Sequence, residues 1–266
     1  MHLRAVYVLV IALFAGLTLS ANAQQAPPPQ PPGITVGRLL VTTTTVTGQP
    51  LEFPLFRNQV AAFLLELDPG GQSGPQQFLV PAVVYVLEGT LTAEVEGQPP
   101  RVFTAGQAFV PPVNVLANAR NRGTTLARFL TVTFGDARKP ALTRPAGSAP
   151  VGFRFTPVLQ ATKTITGEDI VFPLLANQFL VLLADFAPGA VAPRHTHPHT
   201  QFVYQLEGVS TVEPDGLPPV AIRAGQAFVD ATRPHVGANR TEAPGRSFMI
   251  FVGEAGTPPT VPAPPR

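Results

Sequence analysis

The chain has 266 residues, among them 32 Pro, 23 Gly, no Cys and no Trp, and 13% of it is charged against roughly 25% in an average soluble domain. Long helices are excluded by that Pro and Gly load, a disulfide framework by the missing Cys, and wholesale disorder by a hydrophobic content of 45%. A formal charge of +2 without any Lys/Arg cluster excludes a nucleic-acid partner.

In chain order, the first predicted element is a leader. Met1 to Arg4 carries one positive charge, Ala5 to Leu19 is apolar, and Ala21-Asn22-Ala23 supplies the small, spacer, small pattern of a signal-peptidase site. Residues 1–23 are expected to be a signal peptide, because the apolar run falls short of the ~20 residues that cross a bilayer. The expected product is periplasmic or secreted, free of the membrane after cleavage. Its loss removes one of 18 basic residues and none of 16 acids, leaving the chain near neutrality. Residues 24–36, which include the run APPPQPP, read as a Pro-rich linker, and residues 257–266 as a Pro-rich tail of stiff, exposed, extended chain.

Between them the sequence repeats. Phe53-Pro54-Leu55 with Asn58-Gln59 returns as Phe172-Pro173-Leu174 with Asn177-Gln178, and Leu87-Glu88-Gly89 returns as Leu206-Glu207-Gly208. Ala105-Gly106-Gln107-Ala108-Phe109-Val110 likewise matches Ala224-Gly225-Gln226-Ala227-Phe228-Val229. The period is too long for a solenoid, so the repeating unit is a domain. The first copy is placed at residues 37–138, the second at 153–256, and the Pro/Gly/Ala-rich stretch 139–152 joins them. Within each copy, short runs of Val, Ile, Leu, Phe and Thr alternate with turn signals such as Asp68-Pro69-Gly70-Gly71. Many short strands predict an antiparallel sandwich or barrel, hence two all-β domains.

Four histidines remain after the leader, and three of them, His195, His197 and His199, fall within five residues. In a continuous strand these three and Gln201 would share one face of a sheet, where imidazoles two residues apart can converge on an ion. His235, ten residues beyond Gly225, is placed on a returning strand as a third imidazole. A solvated polar loop is the alternative.

Gly189-x5-His195-x-His197-x3-Gln201-x6-Gly208, followed by Gly225 and His235-x3-Asn239, resembles the two consecutive motifs of the cupin superfamily, and the duplication makes the chain similar to a bicupin. In that family the first motif runs G-x5-H-x-H-x3-E-x6-G; Gln201 stands in the Glu place. The second, G-x5-P-x-G-x2-H-x3-N, is matched loosely, with Ala231 for Pro, Arg233 where Gly falls, and His235 one residue early. The resemblance implies two tandem double-stranded β-helix (jelly-roll) domains. It also implies one divalent metal ion per chain, Fe, Mn, Ni, Cu or Zn, held in the second barrel by His195, His197, Gln201 and His235. A carboxamide in place of a carboxylate implies a weaker hold on the ion but a stronger Lewis acid.

His199 is either a further ligand or, as favoured here, a group at the cavity mouth behind the ligands. Asp230, Arg233 and Asn239 are expected in turn hydrogen bonds and loop solvation, with substrate contact as the alternative. The first copy has Gln76, Phe78, Ala82 and Ala117 at the ligand places, which predicts a metal-free barrel filled by apolar side chains and acting as packing partner. Three readings stay open. One is a metal-dependent enzyme acting on a small organic molecule, with a quercetinase-like dioxygenase favoured over isomerase, decarboxylase or hydrolase; another is a noncatalytic small-molecule or metal-binding module; the third is a purely structural role in which the histidines bind nothing. Homodimers are common in the resembled family, although a duplicated chain carries its own pair of barrels.

Overall fold

A computed structural model describes residues 31–265, so the expected signal peptide and most of the Pro-rich linker lie outside the described residues. Among the described residues there is no helix, and accordingly none long and apolar enough to cross a membrane. The molecule is all-β and consists of two double-stranded β-helix barrels in tandem.

The N-terminal barrel is built on one sheet, in which Asn58–Gln72, 15 residues long, pairs with Ala127–Asp136, and this in turn with Ala82–Glu88. The same strand also reaches Ala117–Arg120 through the Gln72 and Arg120 pair, which joins both walls of the barrel in one ladder. In the C-terminal barrel the equivalent walls are separate five-stranded sheets. One centres on Asn177–Phe186, Gly245–Glu254 and Thr200–Glu207, the other on Val209–Pro214 and His235–Ala238.

Each copy lends its first strand to the other. Ile34–Thr42 runs antiparallel to Asn177–Phe186 in the C-terminal barrel, and Val151–Ala161 runs antiparallel to Asn58–Gln72 in the N-terminal one. The sequence repeats therefore interlock rather than merely touch.

The period of two explains why the central strands read as unbroken apolar runs. In Ala82–Glu88, Val83 and Tyr85 face a core shared by both barrels, while Val84 and Val86 face the interior of their own barrel. In Thr200–Glu207, Phe202 and Tyr204 face the shared core and Val203 the C-terminal interior. Gln201 has the interior parity. The repeated Phe-Pro-Leu segments close the shared core symmetrically: the Phe53 and Phe172 rings lie 5.4 Å apart, both against Phe134, and Tyr85 stacks on Phe248 at 4.4 Å. The Leu-Glu-Gly repeats are turns. Gly89 and Gly208 have φ of 72° and 68°, and a Cβ there would collide with the carbonyl oxygens of Leu126 and Pro244.

Candidate metal centre

His195 and His235 sit on different strands, directly opposite one another in the antiparallel pair between His195–Thr196 and His235–Ala238. Such opposition brings side chains within reach of each other, and the two rings lie 4.3 Å apart. His197 follows just beyond the short strand, its ring 4.9 Å from His195 and 5.0 Å from His235. A ring nitrogen from each of the three falls within 4.8 Å of the others. His197 and His235 are buried, at 5% and 1% exposure, and His195 is partly exposed.

Their tautomers are fixed by the backbone. His195 Nδ1 bonds to the Pro193 carbonyl at 2.7 Å, His197 Nδ1 to Pro259 at 2.9 Å and His235 Nδ1 to Arg233 at 2.9 Å. A carbonyl oxygen only accepts, so each Nδ1 carries the proton and each Nε2 presents a lone pair. The Nε2 atoms of His197 and His235 are buried with no hydrogen-bond partner. Burial first, then the neighbouring His197 and His235, hold the His195 imidazole down to about 4, which keeps it neutral near pH 7.

The sequence reading missed the acid of this cluster. Asp230, expected in turn hydrogen bonds, does accept one from the Ala231 amide, but its carboxylate also lies 3.6 Å from the Nε2 of both His197 and His235. Burial pushes its carboxyl up, and against that His197 and His235 in protonated form would pull it down, as the Ala231 amide does, so that the net direction is below the usual range. Lone pairs and a carboxylate thus face one another with no donor between them. The signal for it was positional: Asp230 ends the strand Ala227–Val229, and its amide donates to the Gln201 carbonyl at 2.8 Å. Gln201 itself is buried, with an unpartnered Oε1 on the interior face of its strand.

The expectation of one continuous strand from His195 to Gln201 is corrected. Pro198 offers no amide, and the ladder stops at Thr196 and resumes at Thr200. His199 consequently leaves the group. It lines a cavity of about 20 Å³ with Leu180, Phe251 and Pro259, its buried Nε2 unpartnered. Arg233 pairs with Glu168, and Asn239 donates to the carbonyls of Phe186, Ala187 and Ala243. Asn121 ties its own turn in the N-terminal barrel in the same way; both asparagines are structural.

The C-terminal tail is not free chain. Val261–Pro262 pairs with His195–Thr196, Ala263 donates to the Arg194 carbonyl at 3.2 Å, and Pro259 supplies the carbonyl on His197. Arg194, itself bonded to Asp215, also donates to Pro264. Proline lacks the amide for a full ladder, but its carbonyls remain available, and a single docked edge suffices.

The donor set fits a metal: neutral imidazole lone pairs with an acidic oxygen, each imidazole oriented by a second hydrogen bond. A cupin domain family matches residues 182–251, which include His195, His197, Gln201, Asp230 and His235. Oxalate decarboxylase from Bacillus subtilis has a similar structure, with a TM-score of 0.54 at 13% identity, covering 82% of this chain and 74% of that one. Vicilin from Corylus avellana, hazelnut, is similar with a TM-score of 0.54 at 12% identity over 79% and 78%. AerE from Microcystis aeruginosa gives 0.52 at 14% identity over 84% and 94%. No curated protein matches the sequence.

Proposed function

We propose that the C-terminal barrel, which matches a cupin domain family over residues 182–251, holds one divalent transition-metal ion and acts on a small oxygen-bearing organic molecule. His195, His197 and His235 would hold the ion through Nε2, with the Asp230 carboxylate and the Gln201 carboxamide as the oxygen donors beside them. One observation carries the reading: three imidazole nitrogens fixed as acceptors converge, two of them buried, against a buried carboxylate, with no proton donor in the group. Such a hole is favourable only with a cation in it.

A bound ion supplies Lewis-acid polarisation of an oxygen ligand and, where the metal is redox-active, access to oxygen chemistry. The chain's own residues do the rest. The Pro193, Arg233 and Pro259 carbonyls hold the imidazoles in orientation, Phe251 packs on His197 with ring centroids 5.6 Å apart, and Asp230 sets an acidic oxygen beside His197 and His235. Partly exposed His195 leaves the side from which a small molecule reaches the group. A dioxygenase acting on an enolic or phenolic substrate is the reaction class favoured. Export by the leader at residues 1–23 belongs to the same reading, and a mature amino terminus at Gln24 in the periplasmic fraction would establish it.

The test is elemental analysis of the purified chain, followed by oxygen uptake with enols and phenols. Near one ion per chain and uptake that disappears in His197→Ala are expected; an apo protein after growth in several metals sinks the proposal. A second reading, metal binding without turnover, is favoured by the cover over the site: the tail places the Pro259 carbonyl on His197 and pairs with the His195 strand. A full complement of metal with no uptake on any substrate would select it.

A further inference from the structure

The N-terminal barrel, expected to be filled, is hollow. Gln76 and Ala117 form the same antiparallel bridge as His195 and His235, so the two interiors are in register. Where the C-terminal barrel sets Gln201 against Phe251 and Val203 against Met249, the N-terminal one sets Ala82 against Thr133 and Val84 against Thr131. The smaller side chains leave a cavity of about 310 Å³, and small-molecule sites begin at roughly that size. Phe63, Phe78, Phe109, Phe129 and the exchanged strand's Phe153 and Phe155 form its walls. Packing lost to such a void grows with its volume, and apolar walls do not hold water well enough to compensate.

Two polar groups break the apolar lining in a way that packing does not require. Gln76 Oε1 is buried with no partner. Arg144, brought to the wall by the pairing of Leu142–Thr143 with Gln77–Phe78, donates to the Ser73 carbonyl and lies 5.9 Å above the Phe153 ring. It is paired with no carboxylate among the described residues, and its burial lowers its basicity. An unpaired guanidinium beside an aromatic cavity is a seat for an anion on an apolar body.

We propose that the N-terminal barrel is a metal-free binding site for an apolar carboxylic acid: its chain or ring in the phenylalanine cavity, its carboxylate on Arg144, and Gln76 Oε1 accepting from any O–H or N–H it carries. The site is independent of the metal in the other barrel.

Fluorescence of 1-anilinonaphthalene-8-sulfonate, titrated into the full mature chain and displaced by decanoate or decan-1-ol, tests this. One displaceable site per chain is expected, with decanoate about tenfold tighter than decan-1-ol, the worth of one charge-assisted hydrogen bond. Arg144→Gln should bring decanoate to the level of the alcohol. Thr133→Phe, which copies the other barrel, should abolish the site while metal content and melting temperature certify the fold, and Ala117→Leu repeats the filling should that variant not fold. Chelation should change none of this. The proposal is overturned if the wild type has no displaceable site, if acid and alcohol bind alike, or if filling the cavity leaves binding intact.

Discussion

Across one bridge the N-terminal barrel brings together a carboxamide and a methyl, Gln76 and Ala117, and across the same bridge the C-terminal barrel brings together two imidazoles. Around them the first barrel is apolar and hollow, while the second carries the buried polar side chains of His197, Gln201 and Asp230. On their outer faces the two are alike: Phe53 mirrors Phe172, and Tyr85 and Tyr204 point into one shared core. The pleat separates these roles. Odd and even residues of a central strand face different environments, so an interior can lose its ligands and its bulk while the interface keeps every contact. The difference between the two interiors runs along one parity of the strands.

Removing the shared side of that comparison should have the largest effect. Phe134→Ala takes out a ring packed on Phe53, Phe172 and Phe179, and is expected to cost about 3–5 kcal/mol. Because the core belongs to both barrels, urea melts followed by near-ultraviolet signal and by metal release should coincide; two separate transitions would show that the barrels fold independently. His235→Ala attacks one interior only. Sharing the ~10–16 kcal/mol of a four-ligand site among its ligands gives ~3–4 kcal/mol, a loss of several hundredfold in affinity for a divalent metal, read by competition against a chelator dye. The N-terminal cavity should be indifferent to it.

Acid separates the barrels by chemistry, since all histidines of the described residues lie in the C-terminal one. His195 is held down to about 4 in the fold against an ordinary 6.5. Between those values the unfolded chain takes up a proton that the fold refuses, so the stabilisation is complete above pH 6.5 and is lost as pH falls toward 4. In metal-free protein that loss is about 2–4 kcal/mol, measurable as a drop in the urea midpoint from pH 7 to 4. Mutation of His195 to Gln should flatten the dependence.

How much of this could be read from the residues follows the same division. Regular spacing carried the fold: the Phe-Pro-Leu, Leu-Glu-Gly and Ala-Gly-Gln repeats mark turns and interface positions whose geometry is local, and the His195 and His197 pair rests on a motif with fixed gaps, His235 on a looser match one residue short. What failed depends on long-range register. Pro198 breaks the strand and turns His199 away, the exchange of first strands leaves no mark on composition, and the hollow arises because Thr133 and Thr131 come to lie opposite Ala82 and Val84. Asp230 escaped for that reason too, since only the pairing of Phe202 with Val229 sets it beside Gln201.

That adjacency yields a sharper test of the donor set. Asp230→Asn should weaken metal binding by about tenfold to thirtyfold, the worth of one charged oxygen. If Asp230 supplies the acid that Gln201 lacks, adding Gln201→Glu to Asp230→Asn should restore most of the affinity, while Gln201→Glu alone crowds two carboxylates into a buried site and gains less. Failure of the double variant to recover would place Asp230 outside the coordinating group and limit it to orienting the imidazoles.

The smallest expected effect comes from the tail. Deleting residues 258–266 removes the Pro259 carbonyl from His197 Nδ1 and the strand partner of His195, but no ligand. Loss of such an outer hydrogen bond typically costs 10- to 100-fold in metal affinity, and about tenfold is expected here because the Pro193 and Arg233 carbonyls still hold the other two rings. The deletion also discriminates between the two readings of the site. A lid that merely closes a storage site should release metal faster with little change in equilibrium affinity, whereas an orienting strand should lower affinity and leave the dissociation rate of pre-bound ion raised in proportion. Measuring both constants on the truncated chain, with the N-terminal cavity as an internal control that should not respond, tells which role the Pro-rich segment has.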